Sequence, residues 1–378
     1  MEMITKTRLI GNQCVHPGEF YKYQRYYIQG IKKINEINFS IIPKFSKLFA
    51  SLSANQIKGA NRLWYLCNSV SRKHQSIESN HVGRYIFELG ADTVKVAIDV
   101  ADGREIRDLQ AYEWCDIYFK ANKWEPLKYP EKVRPIVNGN GSLTEQKINQ
   151  LKQYRNRKKE LDLIFMTVIY ASSSTQHFYT NIEHHIRLFE ALSKLDCRKF
   201  LKAIIPKQYT TQMIGKYLDR LDRVGVPWSY SWDGMPTQDF WDHLAKAELV
   251  FLRPGKHGCI SWRMIDLLGM GSCVIYDANP HPAWPVPLAI DKNFVSCDCG
   301  LSLNEQLPSH DHYIKINQVI EALLNDRTKM EAIRRNNRNY FDQYATPAGI
   351  AKYILETVRN YHIKARQSVE FVPFRQAS

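Results

Sequence analysis

From Leu161 to Asp277 the chain alternates between short apolar runs and longer stretches with amphipathic helical spacing. LDLIFMTVIYA, FLKAII, VPWSYSW, ELVFLRP and CVIYDA read as strands. IEHHIRLFEALSKL, MIGKYLDRLDRVG, QDFWDHLAKA and ISWRMIDLLG read as the helices between them. In the first of these helices Ile182, Ile186, Phe189 and Leu192 share one face, and Gly225 closes the second. Strands that are apolar along their whole length need cover on both faces. Strand–helix alternation supplies it through a parallel sheet layered with helices.

The first half is less regular. An opening strand is expected within MITKTRLIGNQCV. A helix follows over FYKYQRYYIQGIKKI, where Tyr23, Tyr26, Tyr27 and Ile31 form a stripe. FSIIPKF reads as a strand ended by Pro43, Asn61 to Val70 as a helix, and TVKVAIDV as a buried strand. REIRDLQAYEW reads as a helix and CDIYFKA as the next strand. Residues 122 to 141 carry three prolines and end in Asn-Gly-Asn-Gly, which is turn chemistry. A basic helix is expected over Leu143 to Lys159. A domain boundary placed here gives an N-terminal domain over 1–150 and a C-terminal domain over 151–346. Two late helices are expected near Ile316 to Leu324 and Thr328 to Tyr344, and a last one from Pro347.

At 378 residues, 44% hydrophobic and 24% charged, the chain suits two packed domains. No apolar run approaches the ~20 residues needed to cross a bilayer. The first residues lack the apolar stretch of a secretory signal, so export is not expected. The eight cysteines are scattered without zinc-ligand spacing, which fits free thiols in a reducing cytoplasm. The net charge of +14 admits nucleic acid, an anionic membrane or a phosphorylated substrate as partner. No nucleic-acid module accompanies it, so the membrane surface is the preferred functional reading, with a solvated basic face as the plain alternative.

The most informative segment is ELVFLRPGKHGCISWRMIDLLGMGSCVIYDANPHPAWP. In open α/β sheets ligands sit beyond the carboxyl ends of strands, which places Arg253-Pro254-Gly255-Lys256-His257-Gly258 at a crevice. The glycines permit close backbone approach. Ser261 is placed to cap the next helix, whose free N–H groups attract phosphate. Arg263 stands in the first turn and suits a diphosphate. Asp266 stands three residues on, where a carboxylate can accept ribose hydroxyls. An ordinary i, i+3 surface pair is the plain alternative.

Residues 245 to 277 resemble the donor-binding block of GT-B glycosyltransferases, especially the exostosin-like branch. The matching positions are Arg253-Pro254-Gly255, Ser261-Trp262-Arg263, Asp266 where that branch usually has Glu, Gly269-Met270-Gly271 and Val274-Ile275. The resemblance implies two Rossmann-like domains facing a central cleft. It implies an acceptor domain rejoined by a C-terminal helix over about 347–365. It implies a hexosyltransferase that uses a UDP-sugar, UDP-glucose first, with Arg263 on the diphosphate and Asp266 on the ribose. Trp232 and Asp233 would meet the base, and the loop Ser172-Ser173-Ser174 the phosphates. The chain is similar to bacterial polysaccharide-assembly transferases, those of the cyanobacterial heterocyst envelope among them. The acceptor would be a saccharide or a lipid-linked oligosaccharide, and the location cytoplasmic or peripheral on the inner membrane face. No cofactor or metal is implied.

Two departures matter. The acidic partner expected in an E-x7-E element would fall at Gly258, and the serine loop carries no cation. Both lean the reading toward inversion, which needs a general base for the acceptor hydroxyl. Asp99, at the end of a strand, Asp102, in the following turn, and His16 are the candidates, each of which can equally serve a turn. Tyr21, Tyr23, Tyr26 and Tyr27 form either an acceptor groove or core. His184 and His185 read as surface or core positions, not metal ligands. The rival functions are an epimerase or phosphorylase on the same fold, a non-catalytic UDP-sugar binding protein, and a nucleic-acid binder whose affinity falls steeply with salt.

Overall fold

The computed structural model describes residues 4–10, 17–34, 38–42, 81–169, 181–230, 237–255, 257–298 and 307–370. The helix expected over Asn61 to Val70 lies outside them. The chain forms two compact units. One comprises Met1–Thr144, Ala283–Val286 and Asp342–Ser378; the other comprises Glu145–Pro282 and Pro287–Phe341. Each is an α/β unit whose sheet has six strands among the described residues.

The first unit holds β1 (Ile4–Ile10), β2 (Asn38–Ile42), β3 (Val82–Leu89), β4 (Asp92–Asp99), β5 (Ile117–Lys120) and β6 (Val133–Pro135) in the order β2-β1-β3-β4-β5-β6. The pairs β1–β2, β4–β5 and β5–β6 are parallel, but β3 runs against both neighbours. The sheet is otherwise parallel, and β3 is its one antiparallel member among the described strands. The cause is the two-residue turn at Gly90-Ala91. Leu89 pairs with Asp92, and Gly90 takes φ 60°, the positive value that a tight hairpin demands. In β3, Tyr85, Phe87 and Leu89 are buried while Arg84, Ile86 and Glu88 are half-buried, the alternation of a strand covered more fully on one side.

Helix α1 (Pro17–Lys33) buries Phe20, Tyr21, Tyr26, Tyr27 and Ile31. The Tyr27 hydroxyl donates to the Val137 carbonyl at 2.9 Å, and that of Tyr26 to the Ala345 carbonyl at 2.8 Å. Their rings are therefore core, and the acceptor-groove reading of Tyr21, Tyr26 and Tyr27 is withdrawn. Tyr23 is half-buried with its ring edge-on to His81 at 4.6 Å. The last helix, α10 (Pro347–Glu370), packs on α1 through Gly30, where a Cβ would meet the Pro347 carbonyl oxygen at 1.9 Å. The helix read from Arg104 is shorter: α2 spans Leu109–Trp114. The Asp108 carboxylate accepts the Ala111 N–H at 2.8 Å and so fixes the start there.

The second unit holds β7 (Leu161–Val168), β8 (Lys199–Ile205), β9 (Trp228–Tyr230), β10 (Ala247–Leu252), β11 (Cys273–Tyr276) and β12 (Val295–Ser296). Their order is β9-β8-β7-β10-β11-β12 and every pair is parallel. Numbered within the unit this is 3-2-1-4-5-6, the doubly wound dinucleotide-binding order, and its topological switch point lies between β7 and β10. Helices α4 (Ile182–Ser193), α5 (Thr211–Arg223), α6 (Thr237–Ala245) and α7 (Arg263–Met270) are the crossovers; α3 (Glu145–Gln153), α8 (His310–Asn325) and α9 (Arg327–Tyr340) complete the cover. The core on one side of the sheet joins Phe165, Phe189, Phe251 and Ile275 to Ile316 and Ile333.

Candidate functional site

The carboxyl ends of β7 and β10 are where the strand order makes a crevice, and two arginines stand there. Arg253 directly follows β10. Arg263 opens α7, and its Nη1 donates to the Met166 carbonyl of β7 at 3.2 Å. The Arg263 guanidinium also lies over the Phe240 ring of α6, 5.3 Å from its centroid. The side chain is thus led from the start of one crossover helix across to the end of the first strand.

Local chemistry explains the turn that delivers it. The Gly258 N–H donates to the Gly255 carbonyl and the Gly255 N–H to the Cys259 carbonyl, both at 2.8 Å. Gly258 has φ 68°, and a Cβ on Gly255 would meet the Cys259 sulfur at 2.4 Å. Both glycines are steric requirements of this loop. The Ser261 hydroxyl accepts the Arg263 N–H at 3.3 Å, while Trp262 occupies the position just before the first helical residue. Ser261 therefore serves the helix start from one residue further out than expected. Trp262 is half exposed at 50%. Gly271, left-handed at φ 67°, ends α7.

Asp266 is not the exposed i, i+3 partner of Arg263 that the plain alternative describes. It is 2% exposed, and its Oδ2 accepts the indole N–H of the buried Trp241 at 3.0 Å. His257 is half-buried beside Gly258. His16, Ser172, Ser173, Ser174, Trp232, Asp233 and Lys256 lie outside the described residues.

Behind Arg253 is a buried polar network that the sequence reading missed. Arg253 donates from Nε to Asp277 Oδ2 at 2.9 Å, and its Nη1 lies 2.8 Å from the ring nitrogens of His185. His184 Nε2 lies 3.1 Å from the same Asp277 oxygen, and its Nδ1 lies 2.8 Å from the Tyr313 hydroxyl. Asp277 and His184 are completely buried. Burial pushes the His184 imidazole down to about 4, helped by the Arg253 charge and opposed by Asp277. Burial alone would raise the Asp277 carboxyl, but Arg253 and His184 override it and hold it below the usual carboxylate range. A neutral His184 donates from Nε2 to Asp277 and accepts the Tyr313 O–H at Nδ1, so both of its links have a defined direction. One signal was available: Asp277 immediately follows the buried run Cys273–Tyr276, at a strand's carboxyl end.

The network makes stability depend on pH. Folded His184 refuses a proton that the unfolded chain accepts below pH ~6.5, and folded Asp277 stays ionised below the ordinary carboxylate pKa. Both contributions are complete at neutral pH and are lost on acidification, His184 first, between about 6.5 and about 4. The His184 part is on the order of 3 kcal/mol. Urea unfolding from pH 4.5 to 7 is expected to show a steeper rise in stability for the wild type than for His184→Phe. Equal slopes would refute this.

In the first unit Asp99 is also fully buried. Its Oδ1 accepts the Ala101 N–H at 2.8 Å, and its Oδ2 accepts the Tyr118 hydroxyl at 2.8 Å and the Lys120 ammonium at 3.0 Å. A general base must present an oxygen to substrate, and Asp99 has both committed inside. Asp102, three residues on, is exposed. Among the described residues no group of His, Cys, Asp and Glu side chains has the arrangement of a metal site. Cys115, Cys197 and Cys273 are free thiols. No described helix is long and apolar enough to cross a membrane.

No family model matches the sequence, and no curated protein is similar to it. Among solved structures the chain is similar to Anabaena Alr3699/HepE in complex with UDP and glucose, at 12% identity over 94% of this chain and 100% of that one, with a TM-score of 0.45. It is similar to the apo lipopolysaccharide outer core galactosyltransferase WaaB at 11% identity over 89% and 99% of the two chains, TM-score 0.42. It is similar to a glycosyltransferase from Rickettsia africae ESF-5 at 11% identity over 65% and 63%, TM-score 0.41. Against HepE in complex with UDP the match spans 65% of this chain and 64% of that one. These scores are low, and the candidate site stands on its own geometry.

Proposed function

We propose that the protein is a GT-B-type glycosyltransferase that moves a hexose from a UDP-sugar to a saccharide or lipid-linked acceptor. The observation that carries this reading is the pair Arg253 and Arg263 at the carboxyl ends of β10 and β7, flanking the switch point of a 3-2-1-4-5-6 parallel sheet. Two cations and the start of α7 at that point suit a nucleoside diphosphate. The donor-block resemblance of residues 245–277 selects UDP, with UDP-glucose as the first donor to test.

In this reading the second unit is the donor domain and the first unit is the acceptor domain, closed by α10. Asp102, exposed in the turn after β4, takes the proton of the acceptor hydroxyl. The acceptor oxygen attacks the anomeric carbon, the bond to the diphosphate oxygen breaks, and UDP leaves with inversion. Arg263 and Arg253 offset the charge that develops on the diphosphate, so no metal ion is invoked. The net charge of +14 suits work at an anionic inner membrane face.

A screen of UDP- and GDP-sugars by calorimetric binding and slow hydrolysis tests the reading. Binding of a UDP-sugar with slow release of sugar is expected. Failure of every nucleotide-sugar to bind would overturn the donor site. Binding without turnover against any acceptor would leave a sugar-nucleotide binding protein.

A further inference from the structure

We infer that Asp277 is a positioning residue for the diphosphate site, holding Arg253 in the orientation that a bound nucleotide meets. The inference rests on the donor-site reading above and adds residues that reading does not use. Arginine is long and its guanidinium rotates freely unless it is anchored. Here the anchor has named parts. The Arg253 Nε–H is fixed on Asp277 Oδ2 at 2.9 Å, and Nη1 is fixed against His185 at 2.8 Å. Asp277 is itself fixed by His184 at 3.1 Å, and His184 by Tyr313 at 2.8 Å.

These groups come from four separate places: the residues after β10 and β11, the first turn of α4, and α8. Asp277 and His184 are fully buried, and Arg253 is 6% exposed. A buried carboxylate with two donors on one oxygen has one arrangement, and it imposes that arrangement on the guanidinium. Asp277 Oδ1 is buried with no hydrogen-bond partner, so the carboxylate is not held by its other oxygen. A site that must receive a diphosphate without reorganising its cations needs such a support.

The test is a double-mutant cycle read by UDP titration at neutral pH, with thermal unfolding measured alongside. Asp277→Asn keeps the shape but removes the charge, and it is expected to weaken UDP binding about tenfold; Arg253→Gln is expected to do at least as much. In the Arg253→Gln background, Asp277→Asn is expected to add less than about twofold, because its effect passes through the guanidinium. His184→Phe, expected to weaken binding about threefold, carries the same cycle if Asp277→Asn does not fold. A lower melting temperature with unchanged UDP affinity in these single variants would overturn the inference and leave the network a purely structural one. Full additivity with Arg253→Gln would also overturn it. Wild-type protein that binds no UDP would bring down the donor-site reading and this inference with it, whereas wild-type binding with unchanged affinity in the variants brings down this inference alone.

Discussion

Replacing Lys120 by methionine is expected to destabilise the protein by about 3–5 kcal/mol, one of its largest single-residue losses. Lys120 and Asp99 are both 0% exposed and lie 3.0 Å apart at the ends of the parallel neighbours β4 and β5. Methionine fills a similar volume, so the loss is electrical. Asp99 would keep the Tyr118 hydroxyl and the Ala101 N–H but lose its counter-charge in the interior. Burial, reinforced by the Asp99 charge, holds the Tyr118 hydroxyl well above its ordinary pKa, so Tyr118 stays a neutral donor and does not replace the cation. The double variant Asp99→Asn/Lys120→Met is expected to recover at least half of the loss, because no unpaired charge remains. Urea unfolding with an unchanged m-value is the measurement. A loss for Lys120→Met below about 1 kcal/mol would mean that the pair behaves as a surface pair, contrary to its burial.

The same pair shows where sequence reading reached and where it stopped. Asp99 was legible as a strand-end carboxylate, and the strand-end position was right. Its role was not legible, because Tyr118 and Lys120 meet it from β5 through a register that no local pattern encodes. The alternation from Leu161 onward was readable because parallel strands are apolar on both faces and their crossover helices are amphipathic, two periods that do not mimic each other. β3 was missed for the opposite reason. VGRYIFEL carries the charged Arg84 and Glu88 at half-buried positions, and the turn after it is only Gly90-Ala91. Around the candidate site, the loop glycines and Arg263 were visible because backbone geometry and helix starts leave local marks. The Tyr313–His184–Asp277–Arg253 network left none. Its members are spread from residue 184 to residue 313, and only the folding of α4 and α8 onto the strand ends brings them together.

Arg263→Ala is expected to weaken UDP binding by about 1.5–3 kcal/mol, roughly tenfold to more than a hundredfold, with little change in melting temperature. Arg263 is half-buried; its contacts to the Met166 carbonyl and the Phe240 ring lie at the strand ends, outside the apolar core. The neighbouring Asp266→Ala must behave differently. It strips the Trp241 N–H of its acceptor at a position where both residues are nearly fully buried, which costs about 1–3 kcal/mol of stability. Loss of UDP affinity in that variant would therefore mix a folding defect with any ribose contact. Asp266→Asn separates the two, because its amide oxygen still accepts the indole N–H while the charge is gone. If Asp266 holds the ribose, Asp266→Asn should keep its melting temperature and bind UDP less tightly than wild type, with a smaller deficit for 2′-deoxy-UDP. Calorimetric titration of the three variants decides the matter. Unchanged affinity in Arg263→Ala would remove the diphosphate from the start of α7. Unchanged affinity in Asp266→Asn would leave Asp266 as the group that locks α7 onto α6 through Trp241, with the nucleotide held by the arginines alone.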